Sequence, residues 1–173
     1  MVDIQTLFSY LTPISLTIGV IYHIMTLNNT RKNQELQLET RQAQLFMVMY
    51  SDFKRPDVQK AYNDVVHVWE WEDYEDFQKK YGRLSNWDEF NKYMLVYSVY
   101  EGLGVLIYRN LIDVKMIEEL MRSYVIHFWE KIGPIMREAR VRYDNPWIAE
   151  WTEYLYIEVK KIESTPAYLL KRS

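Results

Sequence analysis

The chain has 173 residues with a formal net charge of −3, no cysteine, and only five glycines and five prolines. The acidic balance argues against a nucleic-acid-binding protein, and the missing thiols exclude cysteine catalysis and thiolate metal sites. Few helix breakers, together with abundant Glu, Lys, Leu and Met, predict an all-α protein.

The first predicted element is a transmembrane helix. Residues 7–27 are largely apolar, and no Asp, Glu, Lys or Arg occurs between Ile4 and Thr30. As a helix this stretch would extend roughly 31 Å, close to the bilayer hydrocarbon thickness of about 30 Å. We therefore expect residues 1–30 to form a single-pass transmembrane segment, with the lipid bilayer as the partner of residues 7–27.

The charges that flank this segment predict its orientation. Lys and Arg are absent before it, whereas Arg31, Lys32 and Arg41 follow it. By the positive-inside rule, this predicts a membrane protein whose C-terminal domain is cytoplasmic. Ser15 and Gly19 form a small-x-x-x-small pattern, which would let two spans pack closely.

The rest of the chain is predicted to form a stalk and a helical bundle. Residues 31–55 read as a juxtamembrane stalk helix whose end docks on the domain. Residues 56–163 are predicted to form a cytoplasmic bundle of about four to five helices. Its first helix starts at Pro56 and continues to near Gly82. Residues 164–173 are a short tail.

Capping residues place the later helices of the bundle. Ser85 or Asn86 can cap the helix that carries the next aromatic stripe, because their side chains accept hydrogen bonds from free backbone N–H groups. Asp113 is predicted to cap the long helix that follows. Asn145-Pro146 is predicted to start the last helix, since proline suits a first helical turn.

A repeated pattern suggests a metal site. The sequence V-[VI]-H-x-W-E occurs at residues 65–70 and again, 60 residues later, at residues 125–130. His and Glu three positions apart share a helix face, so two such helices facing each other could bind a metal ion. The candidate ligands are His67, Glu70, His127 and Glu130. Known bundle sites have Glu before His, so the alternative is that each histidine is half-buried and hydrogen-bonded to its neighbouring Glu.

An acidic, aromatic stretch covers residues 69–77. One interpretation is a solvated helix face with the carboxylates directed outward. The other is a docking surface for a basic partner, with exposed aromatic side chains as anchors. The candidate surface residues are Trp69, Glu70, Glu72, Asp73, Glu75 and Asp76. The spacing of the acids does not match a calcium-binding loop.

Glu101-Gly102-Leu103-Gly104 lies within an otherwise apolar helix. Each glycine weakens a helix by roughly 1 kcal/mol, so close packing against another helix is expected to compensate. Glu101 would then be half-buried and need a donor, for which Arg137, Arg140 and Arg142 are candidates. A buried Glu101–Arg140 pair is the structural interpretation, and a ligand pocket around Glu101 is the alternative.

The chain resembles a prokaryotic family catalogued as a domain of unknown function, DUF4760. The matching residues are Arg41–Phe46, Trp69–Tyr74, Glu101–Leu106, Leu111–Asp113, and Phe128–Lys131 with Pro134 and Arg140 following. The resemblance covers nearly the whole chain. It implies a short protein that begins with a membrane segment and continues as a helical domain, and it implies no activity.

These observations favour a non-enzymatic, membrane-anchored interaction or accessory protein. No catalytic set of residues can be defended, and no cofactor is expected. A protein partner or a homo-oligomer is expected, and nucleic acid is not. The alternatives are a tethered metal-binding protein or enzyme that uses the two His/Glu pairs, and a sensor that binds a small ligand near Glu101.

Overall fold

The computed structural model describes residues 4–162, with the side chains of residues 15–162. No strand occurs in this range, so the all-α prediction is confirmed. The described helices are α1 (Ile4–Phe53), α2 (Pro56–Asn63), α3 (Tyr74–Tyr81), α4 (Trp87–Tyr108), α5 (Val114–Arg142) and α6 (Glu150–Lys161). One turn of π-helix, Asp64–Val68, follows α2 directly.

The chain divides into two compact units, residues 1–41 and residues 42–173. The domain boundaries predicted after residues 30 and 55 are not tested by this division and stay predictions. The predicted tail at residues 164–173 lies outside the described residues.

The predicted transmembrane segment is wrong, and with it the membrane localisation. None of the helices in the described part of the chain is long and apolar enough to cross a membrane. His23 and the pair Asn28-Asn29 lower the mean hydropathy of the described stretch. Residues 7–14 of the predicted span lie outside the residues whose side chains are described.

The core of the second unit is built from large aromatic side chains. Phe53, Tyr62, Tyr100 and Tyr124 form what we call the closed aromatic cluster, in which the Phe53 and Tyr124 ring centroids are 5.0 Å apart and those of Tyr62 and Tyr124 are 5.2 Å apart. Phe53 and Tyr100 are fully buried. Lys54 lies over the Tyr124 ring, 4.6 Å from its centroid, and its Nζ donates to the hydroxyl. Rings of this size bury about 150–250 Å² each, so the cluster is a major source of stability.

The predicted caps at Asn86 and Asp113 are confirmed. The Asn86 side chain accepts from the backbone N–H of Glu89 at the start of α4. The Asp113 side chain accepts from the N–H of Lys115 at the start of α5. Capping depends on neighbouring residues in the sequence, which explains why local patterns found both positions.

Two predicted helix boundaries are wrong. The helix that starts at Pro56 ends in the π-turn, where the Trp69 N–H donates to the Asp64 carbonyl at 2.8 Å, and the chain is not helical again until Tyr74. The last helix begins at Glu150 rather than at Asn145-Pro146. There the Asn145 side chain bonds the N–H of Trp147 to close a turn, and Ala149 adopts a left-handed conformation with φ of 56° that interrupts the helix.

The predicted close packing at the two glycines of α4 is confirmed. A Cβ added to Gly104 would collide with the backbone carbonyl of Trp151 in α6, and one added to Gly102 would lie 2.9 Å from Cε of Met49. Glycine thus lets α4 and α6 approach until their backbones touch, which offsets its low helix propensity.

Candidate ligand-binding groove

The two histidines of the repeated pattern are not brought together into a metal site. His67 lies in the π-turn and His127 in α5, and both side chains are exposed. The Glu130 carboxylate forms an ion pair with Lys160 at 3.4 Å. Within residues 15–162, no group of three or more His, Asp or Glu side chains is placed to hold a metal ion. The geometry therefore gives the metal hypothesis no support.

The aromatic residues of the acidic stretch are turned inward. Trp69 is buried and stacks on Tyr81 with ring centroids 4.0 Å apart. Its Nε1 donates to the Glu89 carboxylate at 3.0 Å. Trp71 is half-buried, with Nζ of Lys131 4.6 Å from its ring centroid. Neither indole is available as an exposed anchor for a partner.

Several carboxylates of the same stretch have structural partners. Asp73 is the N-cap of α3 and accepts from the N–H of Asp76. The Asp76 carboxylate contacts Nζ of Lys80 at 2.6 Å, and this hydrogen bond holds the pKa of Asp76 below its usual value. Glu75 forms an ion pair with Arg142 at 2.6 Å. Glu70 and Glu72 are exposed, as expected for a solvated face.

Glu101 stabilises the start of α6 from a neighbouring helix. Its Oε1 accepts hydrogen bonds from both the N–H and the hydroxyl of Thr152, each at 2.7 Å. The N-cap residue of α6, Ala149, has no side-chain acceptor, so Glu101 takes over that role. The donor expected for Glu101 is thus the first turn of α6 rather than an arginine.

The arginines near Glu101 pair with a different carboxylate. Arg140 and Arg137 both bind Glu153, Arg137 at 2.7 Å through Nη2. Arg140 also donates to the Ile148 carbonyl at 2.7 Å. Burial alone would raise the pKa of Glu153, but the hydrogen bonds from the two arginines outweigh it and lower the pKa.

An aromatic groove lies beside this network, in the second unit. It has a volume of about 250 Å³ and is formed by α3, α4, the second half of α5 and the two connecting loops, α3–α4 and α5–α6. We call it the aromatic groove. Its lining residues are Tyr74, Phe77, Gln78, Tyr81, Gly82, Arg83, Phe90, Tyr93, Met94, Tyr97, Met136, Ala139, Tyr143 and Ile148.

The tyrosine hydroxyls of the groove are already engaged by protein groups. The Tyr93 hydroxyl donates to Sδ of Met136 at 3.2 Å, and the Tyr97 hydroxyl accepts from the N–H of Ala149 at 3.3 Å. The Tyr74 hydroxyl accepts from Nε2 of Gln78 at 3.1 Å. The groove therefore offers ring faces and thioethers to a bound molecule, and its inner surface is apolar.

Burial keeps these hydroxyls protonated. It raises the pKa of Tyr93 well above its usual value, and it raises the pKa of Tyr97 to about 12 with a further contribution from the Glu101 charge. Burial and the contact with Tyr143 raise the pKa of Tyr74 to about 12. At neutral pH these three tyrosines are uncharged and poor proton acceptors.

Several large apolar side chains of the groove lining, or next to it in the sequence, are accessible. Tyr143 lines the groove and is 63% exposed. Trp87 is 54% exposed, and its ring centroid is 5.9 Å from that of the lining residue Phe90. Leu84 and Trp147, which adjoin lining residues in the sequence, are 99% and 70% exposed. Exposed aromatic side chains around a concave apolar surface are typical of a binding site.

A second cavity, of about 280 Å³, is more polar. Asp113 and Glu158 line it, together with Gln42, whose side chain donates to the Asn110 carbonyl. Its carboxylates and amide make it less suited to an apolar ligand than the aromatic groove.

Sequence reasoning missed the groove although it had found its parts. Tyr74, Phe77 and Tyr81 step along α3 at helical spacing, and Phe90, Tyr93 and Tyr97 do so along α4. Helical spacing of this kind indicates a face turned toward the core and does not by itself indicate a groove. An excess of tyrosine over leucine on both facing stripes is the signal that could have indicated a partly open surface.

Comparison with known protein families gives a match. A family described as Domain of unknown function (DUF4760) matches residues 13–159. No curated protein and no solved structure gives a significant match.

Proposed function

We propose that this chain, which belongs to the family described as Domain of unknown function (DUF4760), has a non-enzymatic role. Its helical domain binds a small, largely apolar molecule in the aromatic groove. The family match covers most of the chain and carries no activity. The single observation that carries the proposal is the groove itself, a concave surface of about 250 Å³ lined by aromatic and methionine side chains and open to solvent.

Burial of apolar surface supplies the binding energy in this proposal. Removing apolar area from water contributes roughly 25 cal/mol per Å², and ring faces add favourable stacking geometry. Met94 and Met136 are unbranched and polarizable, so they can adapt to the outline of a ligand.

The lining also favours binding over catalysis. The polar groups that face the groove are mainly tyrosine hydroxyls, and those of Tyr74 and Tyr97 have pKa values raised to about 12. Such groups stay protonated at neutral pH and make weak general bases.

The two groove methionines provide a direct test. In the full-length protein with methyl-labelled methionine, we expect indole, a neutral flat probe, to shift the NMR signals of Met94 and Met136. The signal of Met121 should stay unchanged, because that side chain is fully buried and does not line the groove. Equal shifts at all three methionines, or none at Met94 and Met136, would contradict the proposal.

A matched pair of variants separates the groove from the rest of the surface. Tyr143→Ala removes a lining ring that is 63% exposed, and Tyr108→Ala removes a ring that is 55% exposed and lies outside the groove. We expect Tyr143→Ala to weaken indole binding about tenfold, as expected for the loss of one stacked ring, and Tyr108→Ala to leave it unchanged. Equal effects of the two substitutions would count against the groove.

A second candidate is a protein–protein contact made by the rim. The observation that favours it is the exposure of Leu84 and Trp147, because large apolar side chains in the open are common at docking sites. Sedimentation of the full-length protein would test self-association. A dimer that dissociates in a Leu84→Ser, Trp147→Ser double variant would support this role, and a monomer in both forms would count against it.

A further inference from the structure

We propose that the groove takes an amphipathic anion, a molecule with a flat apolar body and a carboxylate that Arg83 binds at the mouth. The inference rests on the proposed function and deepens it by naming the class of ligand. It depends on the distribution of charge around the groove, which differs strongly between the apolar floor and the mouth.

The floor accepts only an apolar body. The hydroxyls of Tyr74, Tyr93 and Tyr97 are bonded to protein groups, as the distances above show. A polar group placed among them would lose its water without gaining a partner, which costs about as much as a lost hydrogen bond. The polar end of a ligand must therefore lie at the mouth.

Arg83 is the charged side chain at the mouth. Within the described part of the chain, it is the one lining residue that carries a charge at neutral pH. Its guanidinium carbon is 5.8 Å from the Trp87 ring centroid, and no carboxylate in the described range forms an ion pair with it. A guanidinium offers two parallel N–H donors, which match the two oxygens of a carboxylate.

The other arginines near the groove are already neutralised. Arg142 lies over the Tyr74 ring, 4.5 Å from its centroid, but it binds both Glu75 and Glu138 at 2.6 Å. Arg140 is bound to Glu153. Among these arginines of the described part of the chain, Arg83 is thus the one whose charge is left to attract a ligand.

A cation is the alternative that a group of aromatic rings would otherwise suggest, since ring faces attract ammonium groups. The Glu101 carboxylate is close enough to Tyr97 for its charge to contribute to the raised pKa of that residue. It does not line the groove, and its Oε1 is bonded to Thr152. With Arg83 at the mouth, the net field favours an anion over a cation.

Three probes with the same naphthalene body test this inference: naphthoate, naphthamide and naphthylmethylammonium. Binding to the full-length protein is followed by the NMR signals of Met94 and Met136. We expect naphthoate to bind about tenfold more tightly than naphthamide, the difference expected for a charge-assisted bidentate contact, with the ammonium weakest. Added salt should weaken binding of naphthoate and leave naphthamide unchanged.

Variants of Arg83 assign the effect to one side chain. Arg83→Gln should reduce the affinity for naphthoate about tenfold and the affinity for naphthamide far less, and Arg83→Lys should restore part of the loss. Lys79→Gln removes an exposed cation of α3 that does not line the groove and serves as the matched control. Because Arg83 is exposed, these changes should not affect folding.

The outcomes distinguish the two proposals. Equal affinities for naphthoate and naphthamide, or tightest binding of the ammonium, would overturn the anion inference and leave the groove as a binding site. The same holds if Arg83→Gln and Lys79→Gln have equal effects. Failure of all three probes to shift Met94 and Met136 would overturn the proposed function itself.

Discussion

Two tyrosine-rich regions share α4 and differ in whether they are sealed. Tyr100 belongs to the closed aromatic cluster, whereas Tyr97 and Tyr93, one and two turns earlier, line the aromatic groove. Phe128 joins the two regions, with ring centroids 4.8 Å from Tyr100 and 6.4 Å from Tyr93. Similar side chains on one helix thus lie in a closed core cluster at one end and line an open groove at the other.

The difference comes from the elements that cover each region. The cluster is covered by the end of α1, which supplies Phe53, by Lys54 directly after it, and by α2, which supplies Tyr62. The groove is bordered by the eight-residue helix α3 and by the loop before α6, whose Tyr143 remains exposed. Tyrosine content alone therefore does not decide whether a region is sealed, and the covering element does.

Removing a ring from the cluster should have the largest effect on stability. Phe53→Ala leaves a cavity among fully buried rings and is expected to lower the free energy of unfolding by about 3–5 kcal/mol. Tyr143→Ala at the groove rim should lower it by less than about 1 kcal/mol, because that side chain is mostly in water. Urea denaturation of both variants measures the contrast. Similar losses would show that the rim is as important for packing as the cluster.

Glu101 should have an intermediate effect. Glu101→Ala removes the acceptor for the Thr152 N–H and hydroxyl at the start of α6, and we expect a loss of about 1–2 kcal/mol, as for other helix caps. Glu70→Ala, an exposed carboxylate, is the control and should change stability by less than about 0.5 kcal/mol. A smaller effect of Glu101→Ala than of Glu70→Ala, measured by urea denaturation, would contradict the capping role of Glu101.

Removal of single hydroxyls should act with opposite sign in the two regions. The buried Tyr100 hydroxyl has no hydrogen-bond partner among the described residues, so Tyr100→Phe is expected to be neutral or to stabilise by up to about 1 kcal/mol. The Tyr93 hydroxyl donates to Met136, so Tyr93→Phe should destabilise by about 0.5–1 kcal/mol. Thermal unfolding of both variants measures these effects. Stability changes of the same sign in both would contradict the predicted difference between the two hydroxyls.

High pH should lower the free energy of unfolding through tyrosines of both regions, to a similar extent. At neutral pH the ionisation of the same tyrosines should have no effect on the free energy of unfolding. Burial raises the pKa of Tyr62 in the cluster and of Tyr97 in the groove, each to about 12. The pKa of each tyrosine is thus higher in the folded protein than in the unfolded chain. The stability that depends on the protonated hydroxyl is fully present below the unfolded pKa of about 10 and is lost as the pH rises through the folded value. We expect the free energy of unfolding to fall above about pH 10, while tyrosinate absorbance rises in parallel. Unchanged stability up to pH 12 would contradict both shifts.

The sequence predicted the features that depend on near neighbours in the chain. The caps at Asn86 and Asp113 and the close approach at Gly104 all follow from local patterns. The helical fold follows from composition and spacing.

The features that sequence reasoning missed depend on how separate elements meet. Trp69 was a candidate surface anchor, and it is buried, with Tyr81 of α3 stacked on it. Glu101 was expected to pair with an arginine, but Arg137 and Arg140 form ion pairs with Glu153 instead. The predicted membrane span was judged from its apolar residues, and the described residues contain no helix long and apolar enough to cross a membrane.

The cap that Glu101 provides also bears on the order of folding. Ala149 at the start of α6 supplies no capping side chain and holds a left-handed conformation, and α6 has 12 residues, a length at which an isolated helix is marginal in water. A peptide of residues 143–162 should therefore show little helical circular dichroism by itself. The last helix would form only after α4 has placed Glu101, so α6 is a late, dependent step of folding rather than a nucleus.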